Sequence, residues 1–95
     1  MYIIIRFDFE DNLLELSVEG RFIPTEPTAA LYDLLKNEVL PPDVEIHIFF
    51  TVPPSEIQPS RSSSLKRAGI SVNTIVNVVT DRQVSQDEML IKQQR

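Results

Sequence analysis

The chain has 95 residues, a formal net charge of -5, no cysteine, one histidine and two glycines, and 42% of its residues are hydrophobic. That supports one compact domain with one core; it excludes disulfides, thiolate metal sites and a histidine-rich metal site, and disfavours nucleic acid or an anionic membrane as the main partner. No apolar run is long enough to span a bilayer, and Met1-Tyr2-Ile3-Ile4-Ile5 lacks the charged start and cleavage site of a secretory signal, so the expected location is cytoplasmic or nuclear and the expected partner a protein.

Residues 1–9 alternate, with Ile3, Ile5, Phe7 and Phe9 on one face and Tyr2, Ile4, Arg6 and Asp8 on the other, the period of a strand with one buried face. Asp11-Asn12 predicts a turn, because both residues tolerate left-handed backbone and hydrogen-bond locally. Leu14, Leu16 and Val18 then predict a returning strand with Glu15, Ser17 and Glu19 outward, followed by a connection over residues 20–26. Leu31, Leu34, Leu35 and Val39 recur at helical spacing. Either Thr25 or Thr28 caps that helix, and Pro41-Pro42 ends it. Residues 44–51 predict a third strand, with Ile46, Ile48 and Phe50 alternating with His47, Phe49 and Thr51.

Phe49-Phe50-Thr51-Val52-Pro53-Pro54-Ser55 joins this strand to the stiffest turn of the chain. Proline cannot donate to a ladder, and the residue before a proline is held extended, so the strand stops near Pro53 and the segment forms a rigid apolar knuckle. Such a turn loses little entropy on docking, which suits a binding element. A proline pair that only ends a strand has the same composition. Ser55-Glu56-Ile57-Gln58 predicts a short edge strand before Pro59, and Ser64-Leu65-Lys66-Arg67-Ala68-Gly69-Ile70 a single helical turn closed by Gly69. Residues 74–80, β-branched nearly throughout and apolar on both faces apart from Asn77, predict a central strand.

From Asp81 the composition becomes polar, which sets a domain over residues 1–80 and a polar tail or linker over 81–95. Ser85 and Glu88 have capping-box spacing ahead of Met89-Leu90-Ile91. Arg61, Lys66 and Arg67 surround Ser62-Ser63-Ser64, which reads either as solvated surface or as a phosphorylation site recognised through Arg61.

Alternation places Ile4, Arg6, His47 and Phe49 on the outer face of the sheet, joined by Ile75 and Asn77. An arginine beside exposed apolar side chains is a candidate contact surface; an Arg6 stem that merely covers Tyr2 or Ile4 is the other reading. An outward Phe49 marks either a contact patch or a site under a loop or tail. No catalytic residue, metal ligand or cofactor is nominated. The chain has no cysteine nucleophile, no glycine-rich phosphate loop, no second histidine and no evident convergence of carboxylates, so an enzyme is not expected. Nor is a conjugated modifier, since the sequence closes Lys92-Gln93-Gln94-Arg95 instead of Gly-Gly.

The order strand, strand, helix, strand, proline turn, short edge strand, single turn, central strand resembles the ubiquitin-like β-grasp. That is an α+β fold with a mixed sheet of four to five strands, one main helix and a short 3-10 turn. Leu40-Pro41-Pro42-Asp43 resembles the Ile-Pro-Pro-Asp after the helix of ubiquitin. Ile4-Ile5-Arg6-Phe7, the Phe-Phe-Thr-Val-Pro-Pro turn and Leu65-Lys66-Arg67-Ala68-Gly69-Ile70 together resemble the UBX domain over residues 2–80. The nearest likeness is to its branch with a Thr-Pro-Pro turn, as in the glucose-transporter tether and plant UBX adaptors.

The resemblance implies an adaptor of the ubiquitin-proteasome pathway, monomeric as an isolated domain, that binds the N-terminal domain of the hexameric segregase AAA ATPase (valosin-containing protein). It matches Arg6 to the family's strand arginine, Val52 to the turn phenylalanine, Pro53 to the proline whose peptide bond is often cis, and Pro54 to the turn arginine. A one-residue shift matches Pro53-Pro54-Ser55 to the Pro-Pro-Lys of the tether branch. The implied partner-binding set is Arg6, Thr51, Val52, Pro53, Pro54 and Ser55. In both alignments the turn cation is missing, a charge-assisted contact of roughly 1.5–3 kcal/mol. The alternative is a ubiquitin-like domain that binds a different protein, or supports a larger assembly, through an outer patch of Ile4, His47, Phe49 and Ile75.

Overall fold

The computed structural model describes residues 2–9 and 17–84. Within them lie five strands and one helix: β1 (Ile3–Phe9), β2 (Ser17–Phe22), α1 (Ala29–Glu38), β3 (Ile46–Thr51), β4 (Pro54–Glu56) and β5 (Thr74–Thr80). They form a mixed sheet in the order β2-β1-β5-β3-β4, with β1 and β5 parallel and the other neighbours antiparallel. This is the α+β arrangement expected of a β-grasp. The Asp11-Asn12 turn, Leu14, Leu16 and the Ser85–Glu88 cap lie outside the described residues.

Period-two alternation builds the core. Ile3, Ile5, Phe7 and Phe9 of β1, Ile46 and Ile48 of β3, and Val76 and Val78 of β5 are all buried on one face. Helix α1 supplies Leu31, Tyr32 and Leu35 to the same cluster, and Leu34 packs against it partly buried. Phe22 meets Phe7 edge-on at 6.2 Å between ring centroids. Below the sheet edge, Ile57, Leu65 and Ile70 anchor the long connection between β4 and β5 in the core.

Helix α1 begins after Thr28, whose hydroxyl makes no cap bond. It donates instead to Gln58 O at 2.9 Å and accepts from Ser60 N–H at 2.9 Å. The donors at the helix start go to the same connection, Thr28 N–H to Ser63 O at 2.9 Å and Ala29 N–H to Ser60 O at 3.0 Å. A neighbouring loop therefore satisfies the first two donors, and the N–H groups that a side-chain cap would serve, those of Ala30 and Leu31, bond Pro27 O at 2.9 Å and Thr28 O at 3.1 Å. At the other end, Leu40 N–H bonds Leu35 O at 2.8 Å before Pro41-Pro42. The single turn is present as expected: Ala68 N–H reaches Leu65 O and Gly69 N–H reaches Lys66 O, with Gly69 at φ 100.

Three strand boundaries differ from the sequence reading, those of β2, β3 and β4. Strand β2 runs through Gly20 and Arg21 to Phe22, where a connection is expected. Gly20 marks close packing rather than a loop: a Cβ there would lie 2.7 Å from Leu34 Cδ2 and 2.7 Å from Phe22 Cε1. Strand β3 starts at Ile46. Its predecessor Glu45 is tied to the end of β5, with Glu45 N–H on Asp81 Oδ1 at 3.1 Å and Asp81 N–H on Glu45 O at 3.2 Å. Beyond β5, Arg82 pairs with Asp43 at 3.3 Å and Val84 packs partly buried against the core, so residues 81–84 are fastened to the domain body.

Strand β4 is Pro54–Glu56, and Ile57-Gln58 lie outside it. Pro54 enters the ladder without loss because of register. Ile57 N–H bonds Ile48 O at 2.7 Å, so in the pairing Phe49↔Glu56, Phe50↔Ser55, Thr51↔Pro54 the hydrogen-bonded pairs are Ile48/Ile57 and Phe50/Ser55. The nitrogen of Pro54 then faces away from β3, where no donor is required.

Candidate protein-docking surface

The turn between β3 and β4 is a tight hairpin. Thr51 faces Pro54, Val52 and Pro53 form the tip, and the Val52-Pro53 peptide bond is cis. Val52 is 90% exposed, the most exposed large apolar side chain among the described residues.

Register shows which predicted residues share a surface. Glu19, Arg6 and Ile75 lie side by side across β2, β1 and β5. Thr51 lies one step past the Phe50↔Val76 pair, at the level of Ile75, so this row runs into the turn. A second row holds Ser17, Asp8, Asn77, Phe49 and Glu56. His47 lies opposite Val79, further from the turn. The outer face therefore carries Ile4, Arg6, Ile75, Phe49 and His47 as alternation predicts. Ser55 is the exception in the partner-binding set: it sits between Pro54 and Glu56 and opposite Phe50, so its side chain takes the other face of the strand.

Two further exposed residues lie at the turn end: Tyr2, which alternation puts on the outer face without nominating it for contact, and Val72, which the sequence reading does not single out. Tyr2 is 66% exposed and Val72 68%, while Ile75 is 42% exposed. Ile4 N–H on Asn73 Oδ1 at 2.8 Å brings the start of β1 to the start of β5, which places Tyr2 and Val72 at this end. The Arg21 guanidinium lies 5.6 Å from the centroid of the Tyr2 ring. Nothing in the local sequence signals Val72, because its exposure depends on where the connection meets β5.

The charges are locally matched. Arg6 is not a stem laid over Tyr2 or Ile4: its Nε and Nη2 donate to the two carboxylate oxygens of Asp8 at 3.0 and 3.2 Å. Side chains two apart on a strand share a face, so this geometry follows from β1 alone. His47 is held at both nitrogens, Nδ1 at 2.7 Å from Glu56 and Nε2 at 3.3 Å from Glu45. The hydrogen bond to the Glu56 carboxylate chiefly raises the His47 pKa; burial opposes it, and the charges of Glu56 and Glu45 add to the rise.

The serine loop is braced by its own hydroxyl groups. Ser60 Oγ accepts from Ser62 and Ser63 N–H at 3.1 Å each, and Ser64 Oγ caps Arg67 N–H at 3.0 Å. Arg61, which precedes the serines, is engaged by Asp33 through two bonds of 2.7 and 3.2 Å.

The sheet order and the single helix packed on one face define a ubiquitin-like β-grasp. Among solved structures, the fold is similar to the solution structure of the UBX domain of the D0H8S2298E protein, with a TM-score of 0.60 and 20% sequence identity over 90% of this chain and 74% of that one. No family model matches the sequence, and no curated protein does.

Proposed function

We propose that this β-grasp is a protein-interaction module, not an enzyme, and that it acts as a UBX-type adaptor. In this reading the Val52-Pro53 tip and the Arg6 row dock on the N-terminal domain of the hexameric segregase AAA ATPase, in the manner of the branch with a Thr-Pro-Pro turn. The observation that carries it is the exposure of Val52 at a tip reached in line by Arg6, Ile75 and Thr51. A short apolar tip on a rigid hairpin enters a cleft at low entropic cost, and an arginine beside it supplies orientation. Thr51, Val52, Pro53, Pro54 and Arg6 form the contact, with Tyr2, Val72 and Ile75 as its apolar margin. Calorimetric titration of the domain into the isolated N-terminal domain of the segregase tests it: saturable binding lost in Val52→Asp supports the reading, and equal binding by that variant contradicts it.

A second reading has its own observation. Phe49 is only half-buried in the middle of the outer face, beside His47 and Asn77. A different protein partner seated there would need Phe49 and leave Val52 free.

A further inference from the structure

We propose that the free edge of β4, with the cleft beneath it, binds an extended peptide strand carrying aliphatic and acidic side chains. β4 is the last strand of the sheet. In its register Phe50 and Ser55 exchange ladder bonds, so Glu56 N–H, Glu56 C=O and Pro54 C=O point away from β3. Beyond them the Gln58 N–H also has no partner among the described residues, while its carbonyl is held by the Thr28 hydroxyl. Two donors and two acceptors along one short stretch are what an added strand engages.

Below this edge lies a cleft of about 320 Å³, bordered by Phe50, Ile57, Glu56, Gln58, Ala68 and Arg67. Phe50, Ile57 and Ala68 supply apolar wall. An added strand alternates its side chains, so every second one points to this cleft, and an aliphatic group suits it.

Charge selects the remaining residues of the peptide. Arg67 is exposed and has no ion-pair partner among the described residues, in contrast to Arg6 and Arg61, and Lys66 beside it is likewise unpaired. The one carboxylate bordering the cleft, Glu56, is engaged by His47 on the outer face. The unmatched charge at the cleft is therefore positive although the chain as a whole is acidic, and an acidic side chain two residues along from the aliphatic one, on the same face of the added strand, completes the fit. This surface lies behind the turn and does not depend on the adaptor reading.

The test is a titration of the isotope-labelled chain with the capped hexapeptide Ser-Val-Ser-Asp-Ser-Val, in which valine and aspartate share one face, alongside Ser-Val-Ser-Lys-Ser-Val. The expected result is saturable shifts at the Glu56 and Gln58 amides and at Phe50. Weakening by roughly tenfold in Arg67→Glu and for the lysine peptide follows from one charge-assisted contact. Ala68→Leu, which fills the cleft, provides a second variant that leaves the charge unchanged, and it too weakens binding. The proposal is overturned by no saturation at millimolar peptide, by equal binding of the lysine peptide, or by shifts confined to Arg6 and residues 51–54. Peptide-free shifts at Glu56 and Gln58 that grow with protein concentration would assign the edge to a second copy of the chain and overturn it as well.

Discussion

The Tyr32 hydroxyl donates to the carbonyl of Ile57 and also accepts from Ile48 N–H at 3.2 Å, so a helix side chain stands inside the β3 edge of the sheet. In an unbroken ladder Ile48 N–H would bond Ile57 O directly. Only half of that pair is made, by Ile57 N–H on Ile48 O at 2.7 Å, and the phenol closes the other half. The chain can thereby leave the ladder after Glu56 while its buried backbone groups stay bonded. Tyr32→Phe removes both contacts with little change of shape. It should cost about 1–3 kcal/mol, since the groups that it deserts are buried. Urea unfolding of the two proteins checks this, and unchanged stability would mean that the ladder bond re-forms.

The two glycines should respond to alanine for different reasons. Gly20→Ala places a methyl 2.7 Å from both Leu34 and Phe22, an overpacking cost of about 1–3 kcal/mol. Gly69→Ala meets no atom within 4 Å but forces a side chain onto φ 100, costing about 1–2 kcal/mol through backbone alone. Leu34→Ala in the same chain should recover part of the first loss and none of the second, measured as midpoints of thermal unfolding.

His47 gives the fold a small pH dependence of definite sign. Its pKa is raised in the folded state, chiefly by the hydrogen bond to Glu56, from an ordinary value of 6.5. Its contribution is fully present below pH 6.5 and is lost as pH rises through the higher folded value. The pair is partly exposed, so the size is about 0.2–1 kcal/mol, and salt reduces it. Denaturation at several pH values from 5.5 to 8.5 should show a shallow decline that His47→Gln abolishes; a rise in stability across that window would contradict the assignment.

Asp8 sets how available Arg6 is. The pair is exposed, so Asp8→Asn should change stability by less than about 1 kcal/mol. In the adaptor reading it frees the guanidinium and should tighten binding to the segregase N-terminal domain a few-fold, whereas Arg6→Ala weakens it. Equal affinities for wild type, Asp8→Asn and Arg6→Ala would remove Arg6 from the interface.

Much of the fold was legible because burial writes alternation directly into sequence. Residues 3–9 and 74–80 have that pattern, and Gly69 and Pro41-Pro42 mark ends that few other residues satisfy. Gly20 misled because the same residue type serves loops and close helix–sheet packing, and only the position of Leu34 tells which. Tyr32 was passed over because its role depends on two strands remote in sequence. At the surface, alternation correctly assigned Arg6 and Phe49 to one face. The same alternation put Asp8 on the face of Arg6, although their ion pair was not drawn from it, and it places Ser55 on the opposite face from Pro54 and Glu56. Exposure of Val72 depends on tertiary placement and has no local signal.

The most direct test of the adaptor account is an NMR titration of the isotope-labelled domain with the isolated N-terminal domain of the segregase, repeated with Arg6→Ala and Pro53→Ala. The account predicts shifts concentrated at Arg6, Thr51, Val52, Pro54 and Ile75, diminished by both substitutions. Shifts centred on Phe49 and His47 with the turn unmoved, or none at near-millimolar partner, would contradict it.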